Sequence, residues 1–402
     1  MLSPYQNLPA ERFWKSGVAE TTPQTVTGLY KKKFTLAPAD KIATAGSCFA
    51  QHIARYLRSN GFSVMDLERP PRFLESEERQ QYGFGLYSAR YGNIYTARQL
   101  LQLARDAYSG AVDPAEIWTK AGRFYDALRP NIEPNGFASL DEALALRKHH
   151  LEKVRELFDT MDVFVFTFGL TEAWVNRQTG RVYPTAPGTI AGEFDPERFE
   201  FMNLGFNDVH DDFAAFRELV LSRNPGVRFV VTVSPVPLTA TATENHVLVA
   251  TTYSKSVLRA VAGALAAEFP DVDYVPSYEV IATPWSKGAF YESNLRSIRS
   301  EGVATVMRIF FAEHGITLPE VAEDDASAEQ VPRATERGGR RQTKRARRKS
   351  ERAERRGKSP APPEPAPSST AAAAHSNGTR RKARRRKQDE VCEEILLEAF
   401  GT

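Results

Sequence analysis

A serine stands between a short apolar segment and a helical one near the start of the chain. Residues 41–45 (KIATA) have the small and apolar side chains of a buried strand, and Gly46 and Ser47 follow. Residues 48–59 then place apolar side chains at helical spacing. A hydroxyl at such a turn lies at the end of a strand, beside helix N–H groups that can stabilise an oxyanion. Ser47 is therefore a candidate nucleophile, with N-capping of the helix as its alternative role.

Cys48, the next residue, is a second candidate nucleophile at this turn. Thiols at helix N-termini are more reactive than ordinary thiols, whereas an unpaired cysteine more commonly serves as a small apolar core residue. The chain has two cysteines, Cys48 and Cys392, which are far apart in sequence. This arrangement predicts no disulfide framework, no metal site and no cofactor.

The elements that position this turn belong to an alternating pattern. Residues 162–169 (DVFVFTFG) and 227–235 (VRFVVTVSP) are continuous apolar runs, typical of strands buried on both faces. Amphipathic stretches separate or follow them, at residues 96–108, 139–161, 210–225, 246–268 and 300–315. The alternation predicts an α/β fold with a parallel sheet between helices, and ligands bind such sheets at the carboxyl ends of the strands. Ser47, Gly169 and Ser234 all fall there.

Three other stretches complete the outline of the folded region. Residues 62–68 (FSVMDLE) are predicted as a further strand, and residues 75–160 as a mainly helical insertion. Residues 175–207 are rich in Gly, Pro and Asn, which predicts an irregular excursion.

The C-terminal part of the chain has a different composition. Residues 1–319 carry 33 Lys and Arg against 36 Asp and Glu, whereas residues 333–387 carry 20 against 4. Residues 320–402 contain few large apolar side chains, which predicts a disordered basic tail in which residues 389–400 alone have an amphipathic pattern. Residues 333–387 could contact polyanions without sequence specificity; the alternative is a purely solubilising tail.

No segment of the sequence is suited to cross a membrane. No apolar run approaches the roughly 20 residues that a transmembrane helix needs. The first residues (MLSPYQNLPAERFWKSG) also lack the apolar core of a signal peptide. We therefore expect a cytoplasmic protein.

The hexapeptide at residues 45–50 (AGSCFA) resembles the signature of the GSCFA-domain family. The resemblance continues in order through residues 7–9, 13–14, 167–174, 234–238, 253–256 and 276–279. It covers most of residues 4–315, so that residues 1–319 form one GSCFA domain. The family resembles the SGNH/GDSL hydrolases. This implies a flavodoxin-like three-layer α/β/α sandwich that hydrolyses an ester, or transfers its acyl group, on a small-molecule or carbohydrate substrate.

The resemblance also implies roles for individual residues. Ser47, next to Gly46, is the nucleophile, and its own N–H is one donor of the oxyanion hole. Gly92 matches the glycine donor of the second SGNH block. Gly169 and Thr171 occupy the third block, where Thr171 replaces the asparagine of the oxyanion hole with a hydroxyl donor.

The general base is the point at which this chain departs from the SGNH pattern. SGNH enzymes carry Asp-x-x-His near the end of the fold, but residues 294–297 are Asn-Leu-Arg-Ser. A serine without a base is a poor nucleophile. The remaining candidates for a base are His246, which we favour among them, then His52, Glu172 and Glu279. The simpler interpretation of His246 alone is a surface histidine at a helix start.

Cationic and aromatic side chains suggest how a substrate could be held. Lys255 and Arg259 are one helical turn apart and, with Arg296, could bind an anionic group, or could be solvated charges. Aromatic residues could line a carbohydrate pocket or anchor loops. These are Trp174, Tyr253, Tyr278, Trp285 and Tyr291.

The sequence leaves three readings of function. The first is a serine esterase or O-acyltransferase. The second is a catalytically degenerate binding module, which Asn294 and Ser297 favour because they stand where the Asp-x-x-His pair should be. The third is an interaction protein that acts through its basic tail.

Overall fold

The computed structural model describes residues 3–316, apart from the side chains of residues 76 and 77. The predicted tail, residues 320–402, lies outside the described residues. The strands are β1 (Ile42–Gly46), β2 (Ile117–Lys120), β3 (Arg123–Asp126), β4 (Val163–Phe168), β5 (Glu172–Asn176), β6 (Val182–Tyr183), β7 (Phe199–Asn203), β8 (Arg228–Val233) and β9 (Val272–Val275). The helices are α1 (Ala50–Ser59), α2 (Ser76–Gln81), α3 (Ala97–Ser109), α4 (Leu140–Thr160), α5 (Phe206–Leu221), α6 (Val247–Glu268), α7 (Ser277–Ala282) and α8 (Ser300–Glu313).

A parallel four-stranded sheet forms the centre of the fold, in the order β1-β4-β8-β9. The predicted strand at residues 62–68 is reduced to a single parallel bridge between Ile42 and Val64. If this bridge is counted as a strand and the five strands of the sheet are renumbered along the chain, their order across the sheet is 2-1-3-4-5. This is the flavodoxin-like order. The predicted α/β fold with a parallel sheet is thus confirmed.

Helices cover both faces of this sheet, because alternate strand residues pack in opposite directions. Phe164, Phe166 and Phe168 of β4 pack in a core with α3, α4, α5 and α6. Val163 and Val165, between them, pack in a second core with α1, α7 and α8. Burial on both sides explains why the strands are continuous apolar runs rather than alternating ones.

The outer edge of β1 is completed by irregular segments. The N–H of Ile42 donates to the Ser63 carbonyl oxygen at 2.9 Å. The N–H of Thr44 donates to the Ser88 hydroxyl at 2.9 Å. The Gly46 carbonyl oxygen accepts from the N–H of Ile94 at 2.9 Å. The strand that leads to Ser47 therefore depends on the loop before α3.

Two small antiparallel sheets were not expected from the sequence. Residues 175–207, predicted as an irregular excursion, contribute to a three-stranded sheet in the order β6-β5-β7. The mainly helical insertion also contains the β2–β3 hairpin. Both predictions missed strands of only two to five residues, which lack the long apolar run of a core strand.

A buried ionic network ties the insertion to the sheet. Glu68 accepts from His150 Nδ1 at 2.7 Å, and Asp126 accepts from Arg129 Nε at 2.6 Å. Arg129 also donates to the carbonyl oxygen of Arg90, whose N–H donates to Glu68 at 2.6 Å. The network thus holds the loop that borders β1. Within residues 3–316, no helix is long and apolar enough to cross a membrane.

Candidate functional site

The turn after β1 is built on a glycine that no other residue can replace without strain. Gly46 has a φ of +132°, and a Cβ atom there would lie 2.4 Å from the carbonyl oxygen of Thr167. The next N–H, that of Ser47, donates to the same oxygen at 3.1 Å. The chain then turns, with Ala50 N–H donating to the Ser47 carbonyl at 2.9 Å. β1 and β4 therefore fix the backbone up to Ser47.

The Ser47 side chain performs no structural task in this turn. The residue is 2% exposed, and its Oγ has no hydrogen-bond partner in the described part of the chain. α1 begins at Ala50 and has no side-chain cap, so Ser47 does not cap it. A buried hydroxyl without a partner is unusual and calls for an explanation.

A cavity of about 10 Å³ adjoins Ser47 at the carboxyl ends of β1, β4 and β8, and one wall comes from α6. It is about large enough for one water molecule. Its lining residues are Ser47, Cys48, Tyr95, Gly169, Leu170, Ser234, Val236, Pro237, Leu238 and Lys255. The predicted convergence of Ser47, Gly169 and Ser234 therefore occurs. The place between β1 and β4 is where the strand order reverses, the usual ligand position in such sheets.

Gly169 allows the segment after β4 to approach Ser47 closely. A Cβ atom at this position would lie 3.0 Å from Ser47 Cβ and 3.0 Å from a ring carbon of Tyr95. The N–H of Gly169 donates to the carbonyl oxygen of Tyr95 at 3.0 Å. Ser47, Gly169 and Tyr95 thus form one tightly packed group.

The segment that contains Gly92 reaches the site through its later residues. Gly92 has a φ of +67° and does not line the cavity, whereas Tyr95 does. The Tyr87 hydroxyl is 3.2 Å from the Ser47 carbonyl oxygen and also contacts Asn93 Oδ1. Tyr95 was not predicted as a site residue, and no motif in the sequence marks it.

Thr171 makes its contacts away from the cavity. Its hydroxyl donates to Asn203 Oδ1 at 2.6 Å, and its N–H donates to the Ser254 hydroxyl at 3.0 Å. The predicted contribution of Thr171 to an oxyanion hole would require the bond to Asn203 to break. The N–H of Ser47 is likewise used by the sheet. The first N–H groups of α1, those of Ala50, Gln51 and His52, are also bonded within the turn, at 2.9 to 3.1 Å, so that near Ser47 the positive end of the α1 dipole remains.

The predicted bases lie outside the cavity. His246 is exposed and caps α6, its Nδ1 accepting from the N–H of Leu248 at 3.1 Å. Glu172 is half-buried, and its carboxylate accepts from the Thr241 hydroxyl at 2.6 Å and from Ala242 N–H at 3.3 Å. Burial raises the pKa of Glu172, but the carboxylate faces the loop before α6 rather than Ser47.

Two further predicted bases have cationic neighbours. Glu279 forms an ion pair with Arg259 and accepts from the Tyr274 hydroxyl at 2.7 Å. His52 Nδ1 lies 3.0 Å from the guanidinium of Arg55. Neither Glu279 nor His52 lines the cavity beside Ser47.

The predicted anion-binding cations are in three different environments. Lys255 is 2% exposed and lines the cavity, where its Nζ donates to the Gly169 carbonyl oxygen at 2.5 Å. Arg259 is paired with Glu279 instead. Arg296 lies in the loop closed by the bridge between Tyr291 and Ile298, and it does not line the cavity.

The loop in place of Asp-x-x-His is held by its own side chains. Asn294 Oδ1 accepts from the N–H groups of Arg296 and Ser297, at 3.0 and 2.9 Å. The Tyr291 hydroxyl ties the loop to the Pro235 carbonyl at 2.8 Å. Asn294 and Ser297 thus shape a turn at the correct edge of the sheet but bring no base to it.

Cys48 combines the two environments considered for it. Its side chain packs in the core shared by α1 and α8, and it also lines the cavity.

The aromatic residues predicted to line a carbohydrate pocket do not all lie together. Trp174 packs against Phe194 and Phe201, and Trp285 donates to the Thr21 hydroxyl. Trp174 and Trp285 therefore do not share one carbohydrate pocket.

Within residues 3–316, no group of three or more His, Cys, Asp or Glu residues is arranged to hold a metal ion.

Comparison with known proteins places this chain in a family. A comparison with curated proteins found no match. The model of the GSCFA family matches residues 41–310, which include β1, the Ser47 turn and the whole parallel sheet, and the chain therefore belongs to the GSCFA family.

Proposed function

We propose that this protein is a serine-dependent ester hydrolase or O-acyltransferase, with Ser47 as the nucleophile. The observation that carries the proposal is the Ser47 hydroxyl, which is buried without a hydrogen-bond partner beside a cavity at the switch point of the sheet. Neither capping nor packing accounts for it. The resemblance to the SGNH/GDSL hydrolases supports the same residue, and a cytoplasmic location remains a prediction from the sequence.

The cavity favours a short acyl group. Its walls near Ser47 are mainly apolar, formed by Leu170, Val236, Pro237 and Leu238. At about 10 Å³ it accommodates no more than a water molecule. A substrate therefore reaches Ser47 only when part of the wall moves aside. The alcohol part of the ester, for which we propose a carbohydrate or another small hydroxyl compound, would remain outside.

Labelling with a fluorophosphonate tests the proposal, because this probe reacts with activated serines. The wild type should be labelled, and Ser47→Ala should not. Ser234→Ala is the matched control, since Ser234 lines the same cavity but its hydroxyl already accepts from the N–H of Val236. Among p-nitrophenyl esters, the acetate should be hydrolysed faster than the octanoate. Equal labelling of wild type and Ser47→Ala would refute the proposal.

A binding module without turnover is the second candidate. Two observations favour it: the Ser47 hydroxyl is shielded from solvent, and the loop at residues 294–297 carries neither carboxylate nor imidazole. Calorimetry with short acylated sugars would distinguish the two. Binding that is unchanged in Ser47→Ala, together with no labelling of the wild type, would select the binding module.

A further inference from the structure

Lys255 occupies a position that is rare for a lysine. It lies in the third turn of α6 and is 2% exposed, whereas lysines are almost never fully buried unless they are paired or functional. Its Nζ donates to the Gly169 carbonyl oxygen at 2.5 Å, which holds the amine at the carboxyl end of β4. Among the described residues, Cys48 and Tyr95 also line this cavity with titratable side chains.

Gly169 joins this lysine to the nucleophile. Its carbonyl oxygen holds Lys255 Nζ, and its α-carbon lies so close to Ser47 that an added Cβ would be 3.0 Å from Ser47 Cβ. Ser47 and Lys255 therefore border one small cavity. The Ser47 hydroxyl and the Lys255 amine do not share a hydrogen bond in this structure, and catalytic hydrogen bonds are often incomplete before substrate binds.

We propose that Lys255 is the general base that activates Ser47, an inference that rests on the proposed function. Serine–lysine pairs carry out acyl transfer on unrelated folds, so the chemistry needs no imidazole. The bases suggested by the sequence have other contacts: His246 caps α6, Glu172 accepts from Thr241, and Glu279 binds Arg259.

The reaction balances with these two side chains. The neutral amine of Lys255 takes the hydroxyl proton as Ser47 Oγ bonds to the ester carbonyl carbon, and the carbonyl electron pair moves to oxygen. The oxyanion collapses, the ester C–O bond breaks, and the leaving alkoxide takes the proton from the Lys255 ammonium. Water, or the hydroxyl of an acceptor, then gives its proton to Lys255 and attacks the acyl-serine. Ser47 Oγ leaves and recovers that proton.

The contact with Gly169 suits this role. A neutral amine has two N–H groups and one lone pair. One N–H can remain on the Gly169 carbonyl while the lone pair faces Ser47. The carbonyl also favours the ammonium form that each half-reaction produces, since it accepts a charge-assisted hydrogen bond.

Two substitutions of Lys255 test the proposal in the full-length protein. Lys255→Met removes the amine and keeps the length of the side chain. Lys255→Arg keeps a cation that does not deprotonate, so it preserves an anion-binding role but not a base. We expect both to lower the fluorophosphonate labelling rate of Ser47 by about 10²- to 10⁴-fold. Ser256→Ala, an exposed neighbour on α6, should label at the wild-type rate.

Rescue and pH dependence separate a base from a structural residue. Small alkylamines should restore part of the labelling of Lys255→Ala, and the wild-type rate should rise with pH through a single ionisation that Lys255→Met lacks. If the lysine variants do not fold, the wild-type profile decides, and a flat profile overturns the proposal. Ser47-dependent labelling at wild-type rate in Lys255→Arg would refute the lysine base alone. Absence of labelling in the wild type would refute the proposed function itself.

Discussion

The backbone N–H of Ser47 donates to the carbonyl oxygen of Thr167, one residue beyond the end of β1. The β1–β4 pairing therefore continues through Ser47, the proposed nucleophile, and its backbone is held like that of a strand residue. The freedom that remains is rotation of its side chain. The surroundings of the Ser47 hydroxyl therefore depend on the residues at the end of the neighbouring strand β4, above all Gly169.

Replacing Gly169 by alanine should damage the site more than the fold. The added methyl group would lie 3.0 Å from Ser47 Cβ and 3.0 Å from the ring of Tyr95, and one of them must shift. Overpacking of this kind costs about 1–3 kcal/mol. We expect that loss in urea unfolding, together with a fall in Ser47 labelling of at least tenfold.

Gly226→Ala is the matched control for that substitution. No atom lies within 4 Å of a Cβ built on Gly226, and its backbone conformation suits any residue. It should be stable and labelled at the wild-type rate. Wild-type labelling in Gly169→Ala would mean that the packing around Gly169 does not position Ser47.

Thr171→Val tests the oxyanion role suggested by the third block. The substitution leaves Asn203 Oδ1 without its donor, which we expect to cost about 1–2 kcal/mol of stability. Because the hydroxyl faces Asn203 rather than the cavity, turnover of p-nitrophenyl acetate should change less than about fivefold. Loss of an oxyanion donor would instead lower turnover by about 10²- to 10³-fold. Thr171→Ser retains the donor and should restore the stability.

Acid should destabilise the fold through His150. Burial lowers the pKa of His150 to about 4, from 6.5, so the unfolded chain binds a proton that the folded chain does not. Stability is therefore full above pH 6.5 and falls as the pH drops towards 4. The expected loss at pH 5 is on the order of 2 kcal/mol. Burial alone would raise the pKa of Glu68, but its contacts with His150 and Arg129 lower it below the usual range, so Glu68 also loses stability when the pH falls below about 4.5.

Urea unfolding at pH 7 and pH 5 measures this dependence. His150→Gln should reduce the difference between the two pH values, whereas the exposed His149→Gln should not. Some difference should remain in His150→Gln, because burial also lowers the pKa of His314 to about 4. An unchanged difference in His150→Gln would exclude His150 as a source of the acid sensitivity.

The basic tail should bind polyanions in a manner governed by salt. Residues 333–387 carry 20 Lys and Arg. If six to ten of them contact phosphates, affinity for double-stranded DNA should fall by about 10³- to 10⁵-fold between 50 and 200 mM salt. A chain that ends at residue 319 should not bind under these conditions. Equal binding by the shortened chain, or binding that is insensitive to salt, would contradict an electrostatic role for the tail.

The sequence predicts the core of this fold well and its additions poorly. β4 and β8 were evident because a strand buried on both faces must be apolar at every position. β5 and β7 were not, because they are short and only partly buried; β5, for example, alternates the half-buried Glu172, Trp174 and Asn176 with buried Ala173 and Val175. Local pattern cannot distinguish such a strand from a loop.

The residues of the candidate site likewise differ in whether the sequence could predict them. Ser47 and Gly169 were predicted because motifs immediately after strands must lie at the edge of the sheet. The burial of Lys255 could not be predicted, since a lysine in an amphipathic helix usually faces solvent. Its position follows from the way α6 packs across the strand ends, a property of the tertiary structure. His246 was favoured because it opens the helix that follows the end of β8, yet its ring caps that helix.

The irregular edge of β1 connects the Ser47 turn to the buried ionic network around Glu68. Gly46 is held by the loop through Ile94, and the same loop is held at Arg90 by Glu68 and Arg129. A disturbance of these buried charges would thus be passed to the Ser47 turn through backbone hydrogen bonds. The ionic residues around Glu68 therefore support the segment that borders the proposed nucleophile, although none of them lines its cavity.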